Sequence, residues 1–141
     1  MYDDILVPTD GGADVDRIVD HALEIAAPRD ATVHALYVVD TRSFITLADD
    51  TVEDVVTELT AEGEAATSAV TDRAREADLA ATGEVRRGNP TEVILDYLFE
   101  TDVDLVVMGH HDDDQRAMFG SVTEQVVSET TAPVLTVPLG D

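Results

Sequence analysis

A chain of 141 residues is long enough for one domain with a buried core, and its hydrophobic fraction of 44% is ordinary for a globular protein. Its charge is not ordinary, because 31 Asp and Glu residues stand against 8 basic residues, all arginine, for a formal net charge of −23. A surface this acidic disfavours binding to nucleic-acid backbones and to anionic membranes, so we expect neither as a partner.

The acidic excess and the lack of lysine predict a protein adapted to a salt-rich cytoplasm, as in extreme halophiles, because salt screens the repulsion among carboxylates. The alternative is an acidic protein from an ordinary cell. The chain has no cysteine, which excludes disulfides and thiol catalysis. No apolar run approaches the ~20 residues that span a bilayer, and the acidic start of the chain is unlike a signal peptide. We therefore expect a cytoplasmic protein.

The first part of the chain alternates strand and helix patterns. An apolar run at residues 5–7 predicts a buried strand that ends in a Pro-Thr-Asp-Gly-Gly turn. Apolar residues at helical spacing predict a helix over residues 15–26, which Pro28 ends. Residues 32–39 are rich in β-branched and aromatic side chains and predict the second strand.

The middle of the chain predicts a loop, a long helix and a third strand. Residues 40–50 show no clear period, which indicates a surface loop, and a helical pattern then runs from Val52 to Ala77. Gly63 lies inside that helix and is expected to cost it about 1 kcal/mol relative to alanine. Residues 82–87 are half polar, which favours a strand at or near an edge of the sheet.

The last part of the chain predicts two more helices and two more strands. Asn89 followed by Pro90 is typical of a capped helix start. Residues 105–108 predict a fourth, buried strand, and a Ser-x-x-Glu pattern starts a helix at Ser121. Residues 133–137 predict the fifth strand.

Strands that alternate with helices predict an α/β fold: an open five-stranded parallel sheet with helices on both faces, in a single domain over residues 1–141. Proline on both sides of the fifth strand puts that strand at an edge of the sheet. An apolar edge exposed to solvent invites aggregation, so we expect it to pair with the same strand of a second copy. The expected contacts of this homodimer are Val134, Leu135, Thr136 and Val137.

Six segments in this order resemble the universal stress protein family, over nearly the whole chain. The resemblance implies a flavodoxin-like (Rossmann-like) sheet in strand order 3-2-1-4-5 and a homodimer formed through the last strand. It implies no catalytic residues. The segments are residues 5–10 (Ile-Leu-Val-Pro-Thr-Asp), 38–40, 87–90, 104–109, 120–124 and 133–138.

Some members of that family bind ATP with a Gly-x2-Gly-x9-Gly-Ser/Thr loop. In this sequence the first glycine matches Gly109 and the final pair matches Gly120 and Ser121, but the second glycine falls on Asp112 and the loop is two residues short. A carboxylate 4 Å from a phosphate charge costs about 4 kcal/mol at an effective dielectric constant of 20. The chain is therefore more similar to the branch of the family that lacks the complete loop.

The rest of the nucleotide pocket that the resemblance implies is mostly kept. Four residues would hold the adenosine: Pro8, Thr9, Asp10 and Val38. Seven would flank the phosphates: Met108, Gly109, His111, Gly120, Ser121, Val122 and Thr123.

These observations favour a non-enzymatic regulatory domain of the stress response that acts as a homodimer on an unidentified partner protein, without tight ATP binding. One alternative is a switch that binds ATP and Mg²⁺ and hydrolyses ATP slowly at best. Another is a metal-dependent phosphoacceptor, in which Asp10, Asp40 and Asp112 follow strands at one rim of the sheet and together hold Mg²⁺. The lack of lysine argues against the phosphoacceptor.

Overall fold

The computed structural model describes residues 1–12, 14–44, 48–111 and 121–139, with the backbone alone at a few of these positions, including 110, 111 and 121. The strands are β1 (Asp4–Thr9), β2 (Thr32–Asp40), β3 (Ala81–Gly88), β4 (Leu105–His111) and β5 (Val134–Leu139). The α-helices are α1 (Val15–Ala26), α2 (Asp49–Glu76), α3 (Pro90–Glu100) and α4 (Ser121–Glu129). Two 3₁₀ turns follow α1 and β2, at Ala27–Arg29 and Thr41–Phe44.

The five strands form one parallel sheet in the order β3-β2-β1-β4-β5, which confirms the predicted architecture. Both β3 and β5 lie at edges, as their composition indicated. The strand order reverses between β1 and β4, because β1 leads through α1 to β2 on one side and β4 leads through α4 to β5 on the other. In open α/β sheets, ligands bind outside the strand ends at such a reversal.

The sheet buries both of its faces because its side chains alternate along each strand. Leu6 and Leu36 face α3 and α4, whereas the neighbouring Val7 and Ala35 face α1 and α2. The side chains of Leu6 and Leu36 are fully buried, and burial of this kind stabilises a fold by roughly 1.5–3 kcal/mol per large aliphatic side chain. The alternation also decides which residues at the strand ends can share a cavity.

The start of the third helix follows the local rule that its sequence predicts. The Asn89 side chain accepts hydrogen bonds from the backbone N–H groups of Thr91 at 3.0 Å and Glu92 at 3.4 Å. Pro90, which has no N–H to leave unpaired, is the first residue of α3. The predicted N-cap is therefore confirmed.

Helix α2 begins earlier than its apolar pattern indicates. Its first residue is Asp49, three positions before Val52, and the predicted loop at 40–50 includes a 3₁₀ turn. The Val52 N–H donates to the carbonyl of Ala48 at 2.9 Å. Two aspartates open the helix, where the helix dipole favours negative charge, so this turn forms without apolar contacts and leaves no apolar period.

Gly63 is a close-packing position in α2 and not a defect of the helix. A Cβ atom at this residue would lie 2.5 Å from Cδ1 and 2.9 Å from Cγ of Tyr37, which projects from β2. Helix α2 approaches the sheet this closely only because residue 63 has no side chain. The expected cost in helix propensity is offset by the packing of the Tyr37 ring.

Candidate functional site

Strands β1, β2 and β4 end at one rim of the sheet, which we call the carboxyl rim. Thr9, the last residue of β1, is paired in register with Tyr37 of β2, and β2 continues to Asp40. This rim includes the reversal of strand order between β1 and β4. It is therefore the place where the fold positions a ligand.

The turn after β1 is fixed by its own side chains. The Thr9 hydroxyl accepts a hydrogen bond from the Gly11 N–H at 3.1 Å, and Asp10 Oδ1 accepts one from the Gly12 N–H at 2.8 Å. Gly11 has φ +77°, a left-handed conformation that glycine adopts without strain. The Thr-Asp-Gly-Gly sequence thus folds locally into a turn that holds a half-buried carboxylate, Asp10, at the carboxyl rim.

Close packing around β4 requires a glycine at position 109. A Cβ atom here would overlap the side chain of Leu139 and lie 2.9 Å from Cδ1 of Ile18. The buried Thr123 hydroxyl of α4 donates a hydrogen bond to the Gly109 carbonyl at 2.9 Å. These contacts join β4, β5, α1 and α4 at one point, so the glycine is needed by the fold whether or not a ligand binds.

The described side chains of the predicted nucleotide pocket lie mostly beneath the protein surface. Met108 is fully buried, and Val38 and Val122 are 4% and 2% exposed, in one apolar cluster between the sheet and α3 and α4. Thr9 and Thr123 are each 1% exposed. Pro8, next to last in β1, is buried as well.

The phosphate side of the predicted pocket falls largely outside the described residues. Gly120 and Asp112 lie in the undescribed segment 112–120, and for His111 and Ser121 only the backbone is described. The backbone places His111 at the end of β4 and Ser121 at the start of α4. The contacts expected of these four residues therefore stay a prediction.

Asp40 is paired with an arginine that the sequence analysis did not single out. Arg42 Nε donates to Asp40 Oδ1 at 2.9 Å and Arg42 Nη2 to Oδ2 at 2.6 Å, and these hydrogen bonds hold the pKa of Asp40 below its usual value. Within the described part of the chain, no group of three or more His, Cys, Asp or Glu side chains is placed to hold a metal ion. Because Asp112 lies outside that part, a site formed by Asp10, Asp40 and Asp112 stays a prediction.

A cavity of about 330 Å³ opens beside the turn after β1, between that turn and α2. We call it the Tyr37 cavity. Its lining includes Thr9, Asp10, Tyr37 and Glu62. Tyr37 and Glu62 belong to no motif in the sequence. The signal that could have found the cavity was a tyrosine among the aliphatic residues at the end of β2, next to a helix that contains a glycine.

A polar network far from this rim was also missed by the sequence analysis. His34 on β2 lies with Nε2 2.9 Å from Asp4 Oδ1 and Nδ1 2.8 Å from the Tyr97 hydroxyl. The Arg86 guanidinium carbon lies 5.0 Å from the centre of the Tyr97 ring, and Arg86 also pairs with Glu100 at 2.9 Å. The network joins β1, β2, β3 and α3 near the start of β1, and its groups satisfy one another, so we assign it a structural role.

None of the helices in the described ranges is both long and apolar enough to cross a bilayer. The sequence model described as the Universal stress protein family matches residues 1–138. Universal stress protein MJ0531 of Methanocaldococcus jannaschii is 34% identical over 140 residues, which are 97% of this chain and 82% of that protein.

Solved structures share the fold. Hypothetical protein MJ0577, whose structure was used to assign its biochemical function, superimposes with a TM-score of 0.86 over 100% of this chain and 99% of its own, at 24% identity. A universal stress protein solved in complex with cAMP gives a TM-score of 0.73 at 26% identity, over 96% of this chain and 97% of its own. With a family match over nearly its whole length and a relative at 34% identity, the chain belongs to the Universal stress protein family.

Proposed function

We propose that this protein is a non-enzymatic regulatory domain of the stress response, a homodimer in the cytoplasm that acts on a partner protein and does not bind ATP tightly. The observation that carries the proposal is the backbone after Gly109. Residues 109–111 continue β4 and are paired with residues 137–139 of β5. Successive amides of an extended strand point in opposite directions, so this segment cannot curl around a phosphate group as a glycine loop does.

The sequence of the connection supports the same proposal. Only residues 112–120 join β4 to α4, and this segment begins with three aspartates where the family's ATP-binding loop needs an open backbone. Their charge adds to that of a triphosphate, which carries several negative charges of its own. Each unfavourable contact lowers the affinity for ATP.

Calorimetry in molar KCl tests the proposal with ATP and Mg²⁺ as the probe. We expect no saturable binding in the micromolar range for the natural chain. A variant in which Asp112, Asp113 and Asp114 are all changed to Asn should bind at least about tenfold more tightly, since even a fraction of the electrostatic cost exceeds 1.4 kcal/mol.

The matched control removes three charges elsewhere. Asp72→Asn, Glu76→Gln and Asp78→Asn alter exposed residues in the last turns of α2 and just after it, and they give the same net charge. If this control gains as much affinity for ATP, net charge and not the loop is responsible. Micromolar binding of ATP by the natural chain would refute the proposal itself.

A second candidate is a site for an adenine mononucleotide, suggested by the relative of known structure that holds cAMP. One phosphate group needs fewer amide donors than three, and the N-terminus of α4, nine residues long, supplies unpaired N–H groups and a favourable dipole. The same calorimetry with cAMP distinguishes the two candidates. Saturable binding of cAMP but not ATP favours the mononucleotide, and Met108→Trp, which overfills the buried apolar cluster next to the carboxyl rim, should then abolish it.

The proposed homodimer rests on the edge strand β5. Val134 and Leu135 are half-buried in a single chain, and Thr136 is exposed. Among the described residues, no strand pairs with the outer side of β5. The side chain of Val137 is 1% exposed and packs in the core of its own chain, so only its backbone is left for a partner. Strand-to-strand pairing of two copies would satisfy these backbone groups.

We expect Leu135→Arg to convert the homodimer into a monomer, because each copy would bring a charged side chain into the contact between the paired edge strands. Sedimentation velocity in molar KCl measures the change. The control is Val127→Arg, which adds the same charge at an exposed position on α4 and should leave the dimer intact. A natural chain that sediments as a monomer, or an unchanged Leu135→Arg variant, would count against this interface.

A further inference from the structure

The Tyr37 cavity lies on the face of the sheet opposite to the buried Val38 and Met108 side chains of the predicted nucleotide pocket, and it shares Thr9 and Asp10 with that pocket. Tyr37 and Val39 point toward α2, whereas Val38, between them, points toward α3 and α4 with Met108. The cavity's volume of about 330 Å³ suits a small molecule. A ligand here would share the turn at Thr9 and Asp10 with a bound nucleotide, and its other contacts, on β2 and α2, would be different ones.

The Tyr37 side chain is the polar group at the base of this cavity. Its ring packs against Gly63 of α2 and lies near Gly11, and the residue is only 8% exposed. Tyr37 lines the cavity, and among the described residues its hydroxyl has no hydrogen-bond partner. Since no fully buried side-chain N or O atom among the described residues lacks a partner, this hydroxyl reaches solvent and is available to a ligand.

The charges around the cavity have one sign. Asp10 on the turn and Glu62 on α2 both line it, and no basic side chain is among its described lining residues. Burial raises the pKa of the Tyr37 phenol, and the negative charges of Glu62 and Asp10 raise it further, which places both carboxylates within electrostatic reach of the hydroxyl. The remaining wall is apolar and is formed by Val15, Ala65, Ala66 and Ala69.

We propose that the Tyr37 cavity binds a small organic cation of the ammonium class. The ammonium group would donate hydrogen bonds to Asp10, Glu62 and the Tyr37 hydroxyl, and its alkyl part would lie against the alanines of α2. The chemical class of the ligand follows from the polar groups of the cavity. Two carboxylates and a phenol oxygen accept hydrogen bonds, and a cation with N–H groups donates them. In the part of the chain that the structure describes, no group of three or more His, Cys, Asp or Glu side chains is placed to hold a metal ion.

NMR spectroscopy of the ¹⁵N-labelled full chain tests the proposal with ethylammonium chloride as the probe. Part of the KCl is replaced by the probe at constant ionic strength, so that only the identity of the cation changes. We expect saturable shifts in the millimolar range, concentrated at the amides of Gly11, Ala65, Ala66 and Ala69. Ethanol, which has nearly the same shape and no charge, should give no saturable shift.

Two variants assign the contacts. Glu62→Gln should weaken the binding of ethylammonium by about tenfold, since one charge-assisted hydrogen bond is lost. Tyr37→Phe keeps the ring against Gly63 and should weaken binding by a few-fold. Glu76→Gln, which removes the same charge at the far end of α2, is the control and should leave the affinity unchanged.

Four results would overturn the proposal: no saturable shift, shifts spread over the whole acidic surface, equal responses to ethanol and ethylammonium, or an equal loss in Glu76→Gln and Glu62→Gln. None of them measures whether ATP or cAMP binds at the carboxyl rim. The proposed function and this cation site therefore stand or fall separately.

Discussion

Gly63→Ala is expected to lower the free energy of unfolding by about 2 kcal/mol, although alanine is the better helix former. In an exposed helix the same change would stabilise by about 1 kcal/mol. Here the new methyl group would lie 2.5 Å from Cδ1, 2.9 Å from Cγ and 3.1 Å from Cε1 of Tyr37. A ring held between a helix and a sheet cannot move aside cheaply, so α2 or β2 must shift and overpacking outweighs propensity.

Urea denaturation in molar KCl measures this effect, and a double-mutant cycle assigns its cause. In a Tyr37→Ala background the clash is absent, so Gly63→Ala should then stabilise by about 1 kcal/mol. Ser68→Ala, at an exposed position on the same helix, serves as a control and should stabilise slightly. If Gly63→Ala stabilises the protein when Tyr37 is present, Tyr37 does not pack against α2 as described.

The melting temperature is expected to rise by at least ~10 °C between ~0.1 M and ~2 M KCl, which corresponds to roughly 3 kcal/mol for a chain of this size. The reason is the formal charge of −23, which favours any state that moves the carboxylates apart. The protein's eight arginines are too few to neutralise this charge. Arg73 contacts both Asp16 and Asp20, and Arg86 contacts both Glu84 and Glu100.

Calorimetric melting across a KCl series measures this dependence. Removing three charges with Asp72→Asn, Glu76→Gln and Asp78→Asn should reduce the slope of melting temperature against salt, because less repulsion remains to be screened. Sucrose at matched osmolality is the control for excluded-solute effects. It should leave the difference in melting temperature between the natural chain and the variant unchanged. A melting temperature indifferent to KCl would contradict the adaptation to salt that the composition predicts.

Local rules account for the elements that the sequence predicted well. Asn89 and Pro90 start α3 through bonds that span three residues, and no other part of the chain is needed for them. The apolar runs of β1 and β4 lie in the sheet where their composition put them, because a strand covered on both faces must be apolar throughout. The start of α2 was placed too late, since its first turn is held by charge and backbone and leaves no apolar period.

Contacts between distant segments account for the features that could not be predicted from the sequence. Gly63 looks like a weak point in a helix until Tyr37, 26 residues earlier, is seen to fill the space beside it. Likewise, His34 has no visible partner in its own strand, but Asp4 and Tyr97 meet it from β1 and α3. Such pairs depend on which strands are neighbours and which face each side chain takes, and neither is encoded by local spacing.

The sequence by itself determined the fold class, the strand order through the family resemblance, the family and the acidic character of the surface. These follow from alternation of apolar segments, from motifs in fixed order and from simple counting, all of which are properties of the chain read along its length. Only the tertiary structure decided that Gly109 is fixed by Leu139 and Ile18, that β4 stays paired beyond it, and that Tyr37 meets Asp10 and Glu62 around a cavity. Those features arise where α1, α2 and β5 close over the sheet, because close packing joins residues that lie far apart in sequence.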